Sequence, residues 1–129
     1  MTVKQFFSII GGITFLYGFV LLALPERIGE AHGISSLSDF NILTLRMLGI
    51  AFVATGIMYW LAMPARLSYG RRAILAYTLL LDGLLVFLYL FEFTMKGGFV
   101  AMHYVDWVIT LFTAIGAGFF LSKEKDIKF

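Results

Sequence analysis

Residues 73–93, AILAYTLLLDGLLVFLYLFEF, decide the fold class of this chain. About twenty apolar residues wound as an α-helix cover roughly 30 Å, the thickness of a bilayer's hydrocarbon core, so the run predicts a transmembrane helix. One carboxylate, Asp82, interrupts it near the middle. An aspartate at mid-membrane costs roughly 2.5–3.5 kcal/mol on insertion scales, which predicts that Asp82 faces protein or a water-filled cavity rather than lipid.

Three more apolar blocks lie outward from this one, at about residues 5–24, 39–63 and 99–121. Pro25 closes the first and Pro64 the second, because proline removes a helical hydrogen bond and clashes with the preceding turn. Lys96, Gly97 and Gly98 make the turn between the third and fourth. The predicted fold class is all-α: a polytopic integral membrane protein, one domain over 1–129, built as an antiparallel bundle of four transmembrane helices. Lys4 and the small-x-small run Gly29-Glu30-Ala31 give the first block some features of a cleaved signal. Its apolar run is too long for a typical signal core and long enough to span, so a retained helix is expected.

Composition agrees with this reading and excludes several functions. Of 129 residues, 60% are apolar and 14% charged, and the apolar ones are gathered in the four blocks rather than spread along stripes. The formal charge of +2 and the absence of any basic run longer than Arg71-Arg72 exclude nucleic acid as a partner. Without cysteine there is no disulfide, thiolate metal site or iron–sulfur cluster. The partner that composition does predict is the lipid bilayer. No cofactor is expected: one membrane histidine does not supply a bis-histidine haem pair, and the many Phe with Trp60 and Trp107 suit lipid contact and interfacial belts.

Within the blocks, small and polar residues mark faces. Ser8, Gly11, Gly12 and Gly18 fall largely on one flank of the first helix and predict a close-packed seam. In the second, Arg46 shares a face with Gly49, Val53, Gly56 and Trp60. If the membrane begins near Ile42, Arg46 is about 6 Å inside it, able to snorkel to the headgroups or to turn inward toward an acid. In the fourth, His103, Asp106, Thr110, Thr113 and Ala117 recur at helical spacing as an inward stripe. The polar segment 25–41 predicts a short interfacial turn or helix over residues 26–32, with His32 at headgroup level. Ser36 with Asp39 has capping-box spacing, and Ser38 is the alternative N-cap.

Lys4, the basic linker 64–72 and the tail hold seven of the ten Lys and Arg, against Arg27, Arg46 and Lys96 on the other side. By the positive-inside rule both termini are cytoplasmic. Arg46, Glu92, His103 and Asp106 then share the outer half of the membrane, with Asp106 roughly 10 Å below its helix start and Asp82 about 15 Å below Glu92. Tyr89 shares a helix face with Asp82. The expectation is an outward-facing polar pocket in which Arg46 neutralises Asp106 or Asp82, with Tyr89, Glu92, His103 and Tyr104 nearer its mouth. Catalytic patterns are thin: no phosphate loop, nucleophile elbow or metal-spaced histidine pair is present. His103 and Asp106 supply two metal ligands where a closed site usually needs three or four, so no metal is expected.

Gly18 with Leu24-Pro25-Glu26-Arg27, and Arg46-Met47-Leu48-Gly49 leading to Gly56, give the chain a resemblance to the DoxX-like small four-helix membrane proteins of bacteria. The resemblance covers about half the chain. It implies a four-helix bundle and, as in some relatives, an accessory role beside membrane oxidoreductases, and it transfers no catalytic residue. Three functions stand as expectations. The first is a non-enzymatic accessory or binding protein whose pocket of Arg46, Asp82 and Asp106 takes a membrane-protein partner, a lipid or a small ligand. The second is a small proton-coupled transporter, a homodimer, with Asp82 as the titrating group. The third is a lipid-modifying enzyme using His103, Asp106 and Glu92 as acid and base.

Overall fold

The structure, a computed structural model, describes residues 1–64, 68–96, 98 and 100–123. The described residues form helices and turns with no strand. The elements are α1 (Val3–Ala23), α2 (Pro25–Ala31), α3 (Asp39–Ala62), α4 (Tyr69–Lys96) and α5 (Ala101–Lys123). All but α2 are long and apolar enough to cross a membrane. The all-α, four-helix membrane class is therefore the one found. The chain divides into two units, Met1–Pro64 and Ala65–Phe129. Each holds a pair of spanning helices: α1 packs along α3 in the first, α4 along α5 in the second.

Local sequence explains where these helices start and stop. Thr2 caps α1 through a capping box: its hydroxyl accepts from the Gln5 backbone N–H at 3.2 Å, and the Gln5 side chain accepts from the Thr2 N–H at 2.8 Å. Pro25 ends α1 and occupies the first turn of α2, where its missing N–H costs nothing. Gly33, at φ 80°, closes α2: its N–H reaches the Glu30 carbonyl at 2.9 Å and the Ile34 N–H reaches Gly29 at 3.0 Å. That pair of bonds needs a left-handed residue, which glycine provides without a Cβ penalty. His32 is tied to α2 as well, its Nδ1 donating to the Ile28 carbonyl at 2.7 Å.

The cap of α3 is Ser38, whose hydroxyl accepts from Asn41 N at 3.2 Å; the capping role falls to this alternative rather than to the Ser36–Asp39 pairing. Asp39 is instead the first helical residue, where a carboxylate favours the positive end of the dipole. Helix α4 begins at Tyr69, a turn before the expected residue 73, because the Ser68 hydroxyl accepts from the Arg71 N–H at 3.2 Å. It also runs to Lys96, so at 1.5 Å per residue it is about 42 Å long and outreaches a 30 Å hydrocarbon core. Helix α5 starts at Ala101; the expected start at residue 99 lies outside the described residues, as do Arg66, Gly97 and the tail 124–129.

In the first unit the expected small-residue seam exists, with a narrower membership. Gly11 and Gly18 on α1 meet Gly56 and Gly49 on α3. A Cβ on Gly18 would stand 2.6 Å from the Val53 nitrogen, and one on Gly56 would stand 2.8 Å from the Phe15 nitrogen. Only glycine lets the backbones approach so closely. Gly12 takes no part, since a Cβ there meets nothing within 4 Å. One residue along a helix is a rotation of about 100°, enough to turn Gly12 off the contact face. Above the glycines the aromatic rings interlock: Phe15 with Trp60 at 5.1 Å, Tyr17 with Phe52 at 5.7 Å, and Phe7 stacked on Tyr59 at 6.0 Å. Trp60, expected in an interfacial belt, is thus also a packing residue, and its Nε1 donates to the Ser8 carbonyl at 3.4 Å.

In the second unit α5 presents the narrow face. Thr110, Thr113, Ala114, Gly116 and Ala117 are buried there, and Leu75 and Thr78 are buried on α4. Each buried hydroxyl donates back to its own helix at residue i−4: Thr78 to Ile74 O at 2.8 Å, Thr110 to Asp106 O at 2.7 Å and Thr113 to Ile109 O at 2.8 Å. This satisfies a polar group where water is absent. The opposite side of α4 carries Leu84 and Phe87 at 68% and 72% exposure, a surface that suits lipid and not water.

Candidate polar site at the turn of the second unit

The last turns of α4 and the first turns of α5 lie side by side because the two helices are antiparallel and the link between them is short. Their facing stripes are the polar ones. The Tyr89 hydroxyl is hydrogen-bonded to the Asp106 carboxylate. The Tyr89 ring also lies 6.4 Å from that of His103, tilted by 48°. Tyr89, His103 and Asp106 are all half-buried. Three of the residues singled out in the sequence thus form one cluster.

A phenol donating to a carboxylate is a charge-assisted bond, shorter and stronger than its neutral counterpart and strengthened further by low dielectric. It holds the Asp106 side chain in position with lone pairs left over for a second donor. The imidazole of His103 adds a donor and an acceptor one turn away on α5. The Thr110 bond to the Asp106 carbonyl braces the same turn of backbone.

Asp82 lies seven residues, two turns, before Tyr89 on the same face of α4. Since Tyr89 meets Asp106, the antiparallel register puts Asp82 at the level of Thr113, two turns deeper on α5. Asp82 is half-buried and makes no hydrogen bond or ion pair within its unit among the described residues. Thr113 is already committed to Ile109. Glu92, half-buried near the end of α4, has contacts of its own, as does the exposed Tyr104. Arg46 belongs to the other unit, two turns into α3, and is exposed there.

Sequence reading did not single out Trp107 for this neighbourhood. It follows Asp106 on α5, and its indole Nε1 is buried with no hydrogen-bond acceptor among the described residues. It is a buried donor one residue along α5 from Asp106, turned about 100° around the helix from it. Its only sequence signal is adjacency to Asp106, and indoles at membrane interfaces are too common for that to discriminate. Among the described residues no group of three or more His, Asp and Glu stands close enough to hold a metal ion.

No family model, no curated protein and no solved structure matches this chain.

Proposed function

We propose that this is a small multi-pass protein of the cell membrane, both termini cytoplasmic, that acts by binding rather than by catalysis. Its site is the polar stripe of the second unit: Asp106 with Tyr89 and His103 toward the outer end, Glu92 at the rim and Asp82 below. The occupant is a cationic or hydrogen-bond-donating group, carried by a membrane-protein partner or a ligand. The observation that carries this reading is the Tyr89–Asp106 bond with the His103 ring beside it. Charge balance supports it. Residues 73–95 and 101–121 contain three carboxylates, Asp82, Glu92 and Asp106, and no Lys or Arg. Acids in a membrane segment are matched by a cation, a proton or water, because an isolated charge there costs several kcal/mol. An accessory role is also what the DoxX-like resemblance implies.

Native mass spectrometry of the protein, expressed in its own host and released in mild detergent, tests the reading. A second protein or discrete ligand in constant ratio, lost in Asp106→Asn with Tyr89→Phe, is the expected result. A bare monomer carrying only ordinary lipids overturns it.

A second reading rests on Asp82 alone. A carboxylate in mid-span without a partner in its unit is suited to taking up and releasing a proton, as in a small proton-coupled carrier working as a homodimer. In proteoliposomes Asp82→Asn then abolishes proton flux while assembly is retained; flux equal to wild type removes this reading.

A further inference from the structure

At the other end of the second unit, where α4 begins and α5 ends, a cleft of about 520 Å³ opens between the helices. Ala73, Ala76, Gly118 and Leu121 form its floor, and Tyr69, Arg72 and Ser122 stand around it. The floor is apolar because both helices present small side chains there, and a volume of this size is within the range of ligand-binding clefts. Arg72 is half-buried, and its guanidinium makes no ion pair or hydrogen bond within its unit among the described residues. Among the described residues no carboxylate lines the cleft. Further positive charge is close by: Arg71 precedes Arg72, and Lys123 Nζ sits 4.3 Å above the Phe119 ring one residue beyond Ser122. The Ser122 hydroxyl donates to the Phe119 carbonyl at 2.8 Å, so its oxygen is left as an acceptor only.

We infer that this cleft binds an anionic phospholipid, its phosphate paired with Arg72 and an acyl chain laid along Ala73, Ala76, Gly118 and Leu121. Three features select that ligand class. The cleft lies at the ends of two spanning helices, the depth at which headgroups and the first methylenes of lipid chains meet. Its floor accepts hydrocarbon and nothing polar. The planar guanidinium of Arg matches phosphate oxygens with two parallel N–H bonds, and among the described residues the lining of the cleft holds this cation and no acid, which favours a net-negative headgroup over a zwitterionic one. The site is separate from the polar stripe at the opposite end of the hairpin, and the failure of either leaves the other standing.

The test uses the full-length protein in mild detergent, supplied with equal amounts of phosphatidylglycerol and phosphatidylcholine of matched chains, with lipid retention read by native mass spectrometry. Wild type is expected to retain one phosphatidylglycerol with about tenfold preference, the size of one charge-assisted pair plus nearby basic residues. Arg72→Gln should erase most of that preference, and Arg72→Lys, which keeps the charge and loses the fork, should keep part of it. Ala76→Phe fills the floor with Arg72 untouched and should lose the retained lipid. Arg27→Gln, a basic residue of the other unit, should change nothing. Helical circular dichroism of each variant confirms folding. Equal retention in wild type, Arg72→Gln and Ala76→Phe overturns the proposal, as does wild type that retains no lipid. Displacement of the lipid by millimolar inorganic phosphate, with phosphate still bound in Ala76→Phe, assigns the guanidinium to free phosphate and overturns the lipid assignment.

Discussion

Tyr89 and Asp82 share a face of one helix and differ in what they meet. Tyr89 spends its hydroxyl on Asp106, whereas Asp82 makes no bond within its unit among the described residues. Removing each should therefore move stability in opposite directions. Tyr89→Phe deletes the donor and leaves Asp106 one hydrogen bond short, a loss of about 1–2 kcal/mol. Asp82→Leu removes a desolvated carboxylate and gains about 3 kcal/mol on the insertion scale. Reversible unfolding in bicelles by added denaturing detergent measures both. A destabilised Asp82→Leu would mean that the carboxylate holds a partner worth more than its desolvation. The residue types were readable in the sequence, and so was their helical spacing. The Tyr89–Asp106 bond was not, because spacing on one helix says nothing about which rotation its neighbour adopts.

At the scale of elements, the α1–α3 pair is set by glycine positions. Gly11 and Gly18 on one helix and Gly49 and Gly56 on the other are each seven residues apart, which returns them to the same face after two turns. The antiparallel pairing of Gly11 with Gly56 and Gly18 with Gly49 follows from that common spacing. Gly18→Ala forces its Cβ into backbone at 2.6 Å and should destabilise the protein by about 1–3 kcal/mol. Gly12→Ala, with nothing within 4 Å, should be neutral or stabilising by up to about 1 kcal/mol through helix propensity. The same denaturation experiment compares them, and equal effects would mean that the seam does not govern stability. Ser38→Ala, which removes the cap of α3, should cost about 1 kcal/mol. Sequence alone put Gly11, Gly12 and Gly18 on one flank; only the partner helix distinguishes the two that are buried.

Across the whole molecule, the distribution of Lys and Arg predicts the orientation. Seven of the ten lie near the termini or within residues 64–72, where Arg71 and Arg72 belong to the first turn of α4, against Arg27, Arg46 and Lys96. Reporter fusions at the C-terminus and in the segment between α2 and α3 should report cytoplasmic and non-cytoplasmic locations, respectively. Moving two of the basic residues of 64–72 into residues 33–37 should produce a mixed topology, since the bias is modest. A single fixed orientation in that variant would show that something other than charge sets it.

The sequence by itself determined the class of the protein. Apolar runs of spanning length leave helices as the economical way to satisfy backbone groups in lipid, and the prolines, glycines and capping hydroxyls mark where they stop. It also identified nearly every polar residue that matters, because ionisable groups are rare in such runs. Tertiary structure decided which of them meet. The contact of Tyr89 with Asp106 and the lack of a partner for Asp82 among the described residues of its unit both depend on how one helix is rotated against another. The apolar cleft under Arg72 depends on it too. That rotation is set by the fit of Gly, Ala and Thr faces to their neighbours, a property of two surfaces together that no single helix encodes.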